Sequence, residues 1–180
     1  IRSSGSHILE MINSLLDISM IESGKFTLKK VNNDIGLLIK EHIHLINRRA
    51  TQKKMKIDVD LEEIAPFMFD ASRVKEVFDN FITNAIKYSP SGSTVFVKTE
   101  QIAESVKVSV KDQGPGISKE EQEKLFQMYS KVSSKPTGGE KSIGLGLAIA
   151  KRIIEEHGGE IGVESEENHG CCFYFMLPMV

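Results

Sequence analysis

The stretch SRVKEVFDNFITNAIKY, residues 72–88, carries apolar side chains at 74, 77, 78, 81, 82 and 85. That spacing is the signature of a helix with one buried stripe. Asp70 or Ser72 supplies an N-cap, and SPSGS at 89–93 breaks the chain behind the helix. Close beside the apolar stripe, Asn80, Asn84 and Lys87 follow at intervals of four and three and so share one face. Asparagine is a mediocre helix former and brings an oxygen acceptor and an NH2 donor. Two of them followed by a cation can hold a hard cation and phosphate oxygens together, because magnesium takes oxygen ligands and commonly shares them with substrate phosphates. Taken alone, the face reads first as a solvated surface with chance asparagines.

Downstream, TVFVKTEQ (94–101) and SVKVSVKD (105–112) read as a strand pair joined by a short turn. DQGPGIS (112–118) then closes a strand with a carboxylate and follows it with two glycines, which permit close backbone approach to a ligand. A buried Asp112 can accept a hydrogen bond from an exocyclic amine such as that of adenine, although the same residues also suit an ordinary strand-to-helix turn. Ser118 and Glu121 form a capping box for a helix expected to run to about Tyr129. Residues 130–142 are polar, Gly-rich and Lys-rich without periodicity, which predicts a mobile loop.

GGEKSIGLGLAIAKRII (138–154) places Gly144 and Gly146 at the start of an amphipathic helix that ends at HGG. No Lys-Ser/Thr pair follows Gly144, so this is no Walker A loop. No strand precedes it and Ala148 stands near the third glycine position, which leaves a dinucleotide fingerprint unsupported. EIGVES and CCFYFML make a final hairpin across EENHG.

Upstream, MKIDVDLE (55–62) alternates as a strand, and Asn33 or Asp34 caps a helix to about Lys53. FTLKKVN (26–32) holds a short extended piece, and GSHILEMINSLLDISMIES (5–23) carries a wide apolar stripe with Gly24 as its stop. The element order predicts an α+β fold, with a mixed or antiparallel sheet covered by helices on one face.

The chain has 180 residues, 40% hydrophobic and 27% charged, enough for one domain with a core and a short appendage. A net charge of −2 argues against a dedicated nucleic-acid binder. No apolar run reaches the length of a membrane span, and no signal peptide is visible. The chain opens with Ile1 and is expected to be part of something longer, where any membrane anchor would lie. Cys171 and Cys172 are adjacent and would point to opposite faces of a strand, so they are not expected to pair.

Together and in this order, the motifs DNFITNAIKYSP, DQGPGI, LFQMYSKV and SIGLGLAIAKRII resemble the catalytic ATP-binding domain of sensor histidine kinases. The match spans residues 26–180, and HILEMINSLLDISMIESGKF is similar to the second helix of the family's dimerisation and phosphotransfer hairpin, making 1–25 its truncated end. The resemblance implies a Bergerat-type α/β sandwich and the cofactors ATP and Mg2+. Asp112 would recognise the adenine amine, with Gly114, Gly116 and Ile117 forming the loop beside it. Asn84 would ligate magnesium with Asn80 in support, Lys87 would contact phosphates, and Tyr88 would flank the nucleotide. Lys131 stands in the segment that often carries Arg. The loop at 130–143 would be the ATP lid, with Gly144, Leu145, Gly146 and Leu147 at its phosphate end.

The implied activity is transfer of the γ-phosphoryl group to a histidine, for relay to the receiver domain of a response regulator. The implied parent is a homodimer with this part on the cytoplasmic side. His7 has neither an adjacent acid nor the acceptor-box proline and is not the expected acceptor. Gln113 and Ser142 depart from the usual Asn and Gly of the family's glycine boxes. The competing classes are another ATPase or serine-directed kinase of the superfamily, and a non-catalytic nucleotide-binding scaffold.

Overall fold

The computed structural model of the chain describes residues 26–130, 136–137 and 144–179. The segment expected to form a leading helix, with His7, and also Lys131 and Ser142, fall outside them. Strand β1 (Val31–Asn33) leads into α1 (Ile35–Gln52), β2 (Lys56–Leu61), β3 (Phe67–Phe69) and α2 (Ala71–Tyr88). Then follow β4 (Thr94–Ile102), β5 (Ser105–Lys111), α3 (Lys119–Gln122), α4 (Gly146–Glu156), β6 (Glu160–Ser165) and β7 (Cys171–Pro178).

Five strands form one sheet in the order β2-β4-β5-β7-β6. Strand β2 runs parallel to β4, and the other neighbours are antiparallel. The parallel pair needs a crossover, and α2 supplies it. Alternation sends Val95 and Val97 of β4, Val106, Val108 and Val110 of β5, and Phe173, Phe175 and Leu177 of β7 to one buried face. The stripes of α1, α2 and α4 cover that face. Phe81 of α2 sits at its centre, with ring centroids 5.3 Å from Phe173 and 6.1 Å from Phe175. The fold is therefore α+β, a mixed sheet with helices on one face, as the element order predicts.

Both long helices start where a side-chain oxygen answers their free N–H groups. Asp34 Oδ1 accepts from Leu37 N at 2.9 Å, and Asp70 Oδ1 accepts from Ser72 N at 3.1 Å and Arg73 N at 3.2 Å. Cys171 and Cys172 are free thiols.

Three details differ from expectation. The extended piece at 26–32 pairs only from Val31, in a two-stranded ribbon with the unanticipated β3, Val31 opposite Phe69. The helix expected to reach Tyr129 stops at Gln122. Beyond it the chain turns tighter, through Lys124 N to Glu121 O and Gln127 N to Lys124 O, and Tyr129 has φ 60°. Ser118 Oγ caps the start by accepting from Glu121 N at 3.4 Å, while the Gln122 side chain is drawn back to Ile117 O at 2.7 Å and across to Ser165 O at 3.0 Å.

Candidate nucleotide site

The end of β5 delivers Asp112 to the edge of the core, where it is 4% exposed. Its N–H donates to Cys171 O at 2.8 Å. Its Oδ1 accepts from Gly114 N at 2.7 Å and Cys171 N at 3.2 Å. Burial pushes the carboxyl above the usual aspartate range, against the pull of those two N–H donors. Oδ2 has no partner among the described residues, so the carboxylate offers one open acceptor.

The loop beyond Asp112 is packed against its surroundings. A side chain at Gly114 would place Cβ 2.9 Å from Asp112 Oδ1 and 3.3 Å from Tyr88 O, which brings the end of α2 against this loop. Gly116 has φ 74°, and a Cβ there would fall 2.0 Å from Glu166 O; only glycine fits. Ile117 is buried. Gln113, by contrast, turns out of the loop, its Oε1 accepting from Thr94 N at 2.8 Å.

The asparagine face of α2 meets the start of α4. Asn80 Nδ2 donates to Glu76 O at 3.0 Å, and its Oδ1 lies 2.3 Å from where a Gly146 Cβ would be. The absence of that Cβ lets the two helices approach. Leu145 occupies the N-cap of α4 with no side-chain cap bond and is buried, while Leu147 packs against the core. The side chain of half-buried Asn84 makes no hydrogen bond among the described residues. The Lys87 ammonium lies 5.6 Å from the Tyr88 ring centroid. Gly144 O accepts from Tyr129 N at 3.0 Å, which ties the two ends of the intervening loop together.

The carbonyls ending α2 are also answered. Lys53 Nζ donates to Ile86 O at 2.5 Å, Lys87 O at 3.2 Å and Thr137 Oγ1. A cation there suits the negative end of the helix dipole. Thr137 N donates to Lys87 O at 3.1 Å.

Of the residues singled out from sequence, the structure brings Tyr88, Asp112, Gly114, Gly116 and Ile117 into one packed loop region. It places Asn80 against Gly146. Asn84 and Lys87 lie along α2 between these ends, and Lys131 lies outside the described residues. A separate groove of about 380 Å³ between α1 and α2, lined among others by Leu37, His42 and Lys75, contains none of them.

Sequence reasoning missed Cys171, Ser165, Gln122, Lys53 and Thr137. Cys171 acts through its backbone, which has no side-chain signature. The others contact partners far away in sequence, and no local pattern marks them.

Chemically the donor set is coherent. A single open buried carboxylate oxygen suits an amine. The uncapped start of α4 and the Lys87 ammonium suit an anion. The free amide of Asn84 offers an oxygen to a hard cation. These residues fit a magnesium nucleotide.

A family profile described as histidine kinase-, DNA gyrase B-, and HSP90-like ATPase matches residues 69–180. The circadian input-output histidine kinase CikA of Synechococcus elongatus is 31% identical over 99% of this chain, which spans 24% of that protein. Among solved structures, full-length ShkA in complex with AMPPNP superposes with a TM-score of 0.87 at 28% identity, covering 99% of this chain and 37% of ShkA. The histidine kinase ThkA in complex with the response regulator protein TrrA gives 0.74 at 25% identity, covering 96% of this chain and 49% of ThkA. The chain thus spans less than half of each. Among the described residues no helix is long and apolar enough to cross a membrane.

Proposed function

Because this chain belongs to the family of histidine kinase-, DNA gyrase B- and HSP90-like ATPases, we propose that it is the ATP-binding catalytic part of a two-component sensor histidine kinase. Its reaction is transfer of the γ-phosphoryl group of ATP to a histidine. The observation that carries the reading is the Asp112 carboxylate, buried, fixed through Oδ1 and open at Oδ2.

Asp112 Oδ2 accepts a hydrogen bond from the adenine amine, and Gly114 and Gly116 let the loop that follows it pack against Tyr88 and the β6–β7 hairpin. Tyr88 flanks the nucleotide. Asn84 gives its amide oxygen to magnesium, and Asn80 supports that end by seating Gly146. Lys87 and the first N–H groups of α4 face the phosphates. Bound magnesium supplies charge neutralisation at the phosphates. The remaining contribution is positioning, which dominates phosphoryl transfer generally.

His7 is not the acceptor in this reading; the acceptor histidine and its neighbouring acid belong to another part of the parent protein. That parent dimerises through a hairpin to which residues 1–25 would belong, acts on the cytoplasmic side, and passes the phosphoryl group to a response-regulator receiver domain. The ThkA–TrrA complex supports that last step by analogy.

Calorimetric titration of the chain with ATP and magnesium tests the reading. Saturable binding in the wild type and a large loss of affinity in Asp112→Asn is the expected result. Equal affinity in both overturns it. Incubation with labelled ATP and a separately supplied histidine-bearing hairpin then tests transfer: acid-labile label is expected on the hairpin, and label lost in His7→Ala would reassign the acceptor.

A further inference from the structure

We propose that Ser165 and Gln122 are positioning residues for base selectivity: they lock the Asp112–Ile117 loop onto the β6–β7 hairpin and so fix where Asp112 Oδ2 points. The inference rests on the nucleotide reading above and deepens it.

Ile117 ends the glycine loop, and both of its backbone polar groups go to side chains. Its N–H donates to Ser165 Oγ at 2.9 Å, and its carbonyl accepts from Gln122 Nε2 at 2.7 Å. The same Gln122 Nε2 donates to Ser165 O at 3.0 Å. The Gln122 side chain therefore bridges the loop carbonyl to the backbone of Ser165, while the Ser165 hydroxyl takes the loop N–H.

Ser165 also reaches the residue beside the one that holds Asp112. Its Oγ donates to Gly170 O at 2.7 Å, and Cys171 follows directly, giving N–H and C=O to Asp112. One hydroxyl thus joins the far end of the loop to the hairpin position that orients the carboxylate. The contact has no slack. A Cβ at Gly116 would fall 2.0 Å from Glu166 O, and one at Gly170 would fall 2.1 Å from Asp112 O. Asn168 N donates to Pro115 O at 2.6 Å across the same seam.

Adenine presents an amine donor where guanine presents a carbonyl acceptor. A carboxylate oxygen held in place attracts the first and repels the second. Both effects depend on where Oδ2 sits, so loosening the loop from the hairpin weakens both. In this proposal the phosphates are met by Lys87 and the start of α4, which lie outside these hydrogen bonds. Ser165 and Gln122 therefore govern discrimination between bases, and polyphosphate affinity is independent of them.

The test measures affinity of the full chain for ATP, GTP and tripolyphosphate, each with magnesium, in the wild type, Ser165→Ala, Gln122→Leu, Ser165→Thr and Asp112→Asn. The expected result is an ATP affinity reduced about tenfold in Ser165→Ala and Gln122→Leu, the scale of one buried group left unpaired. Tripolyphosphate binding stays within about twofold, the usual reach of a change remote from the contact, and GTP binding is unchanged or stronger because the repulsion of the guanine carbonyl is relaxed. Ser165→Thr keeps a hydroxyl and keeps the preference for ATP.

If Ser165→Ala does not fold, Gln122→Leu decides. Uniform weakening of all three ligands would mean a merely structural role and would overturn the proposal. Unchanged selectivity in Ser165→Ala and Gln122→Leu, with selectivity lost in Asp112→Asn, would overturn it while leaving the nucleotide reading intact. A wild type with no preference for ATP over GTP would sink both.

Discussion

Around Asp112, the atoms that shape the loop already have partners inside the protein: Oδ1 holds two N–H groups, and Ile117 is bonded through both its N–H and its carbonyl. Around Asn84 and the start of α4 the opposite holds. The Asn84 amide makes no hydrogen bond among the described residues, and α4 begins without a side-chain cap. The two ends of one candidate site are built on different principles. In the proposed reading, base recognition depends on a carboxylate held against its own desolvation, so its surroundings must be finished before the ligand arrives. The phosphate end in that reading meets a ligand that brings charge and its own cation, and the Asn84 amide and the first N–H groups of α4 are left to bind it.

The largest expected effect breaks the finished end. In Asp112→Asn the amide places an NH2 group toward the purine amine, and ATP affinity should fall at least about a hundredfold, or ~3 kcal/mol. Stability should move the other way. Because burial raises the carboxyl pKa, Asp112 favours the fold only while protonated, and that contribution is lost as pH rises through the raised value. At neutral pH the ionised group is therefore a cost, and Asp112→Asn should melt at or above the wild-type temperature. The gap should close as pH is lowered toward 3.8, the ordinary aspartate value. ATP affinity of the wild type should fall over the same acid range, starting above that value. Calorimetry and thermal melts across pH check both. A variant that loses affinity and stability together would contradict the account.

At the open end, Asn84→Ala should cost about tenfold in ATP affinity, ~1.4 kcal/mol, and only while magnesium is present. The same titration in EDTA should show the two proteins nearly equal. A loss of equal size without magnesium would mean that Asn84 meets the nucleotide itself.

Where α2 and α4 touch, Gly146→Ala drives a methyl into Asn80 Oδ1, whose amide is held by Glu76 O. Overpacking of this kind costs about 1–3 kcal/mol. Asn80→Ala in the same background should recover most of it. A double-mutant cycle in urea reads the coupling, and additive losses would show that the close approach is relieved by movement of the helix instead.

The comparison also explains what the sequence makes legible. Helix α2 is readable because its stripe, its Asp70 cap and its SPSGS break are all local, and Asp112 is readable because a carboxylate ending a strand before two glycines is a compact pattern. Strand β3 is not, since three residues cannot display a period. The stop of α3 is not, because Gln122 is claimed by Ser165 and Ile117. What finishes the base end arrives from far along the chain: Cys171 is 59 positions from Asp112, and Ser165 is 48 from Ile117. Local patterns find the groups that face a ligand more readily than the groups that hold them.

Gln113 gives the smallest effect and a sharp check on that division. It stands inside the glycine loop, where the family resemblance expects Asn, and from sequence alone it reads as a change in the pocket. In the fold its side chain leaves the loop and accepts from Thr94 N, at the exposed start of β4. Gln113→Asn shortens the side chain by one methylene and gives up that bond. Thr94 N then turns to water, so the stability cost should be about 0.5 kcal/mol. The loop itself is held by Cys171, Ser165 and Gln122, and among the described residues the Gln113 side chain hydrogen-bonds none of them, so ATP affinity should change less than about twofold. A tenfold change in either direction would place Gln113 among the groups that meet the base, and a pocket finished by backbone and hairpin contacts alone would no longer describe that end.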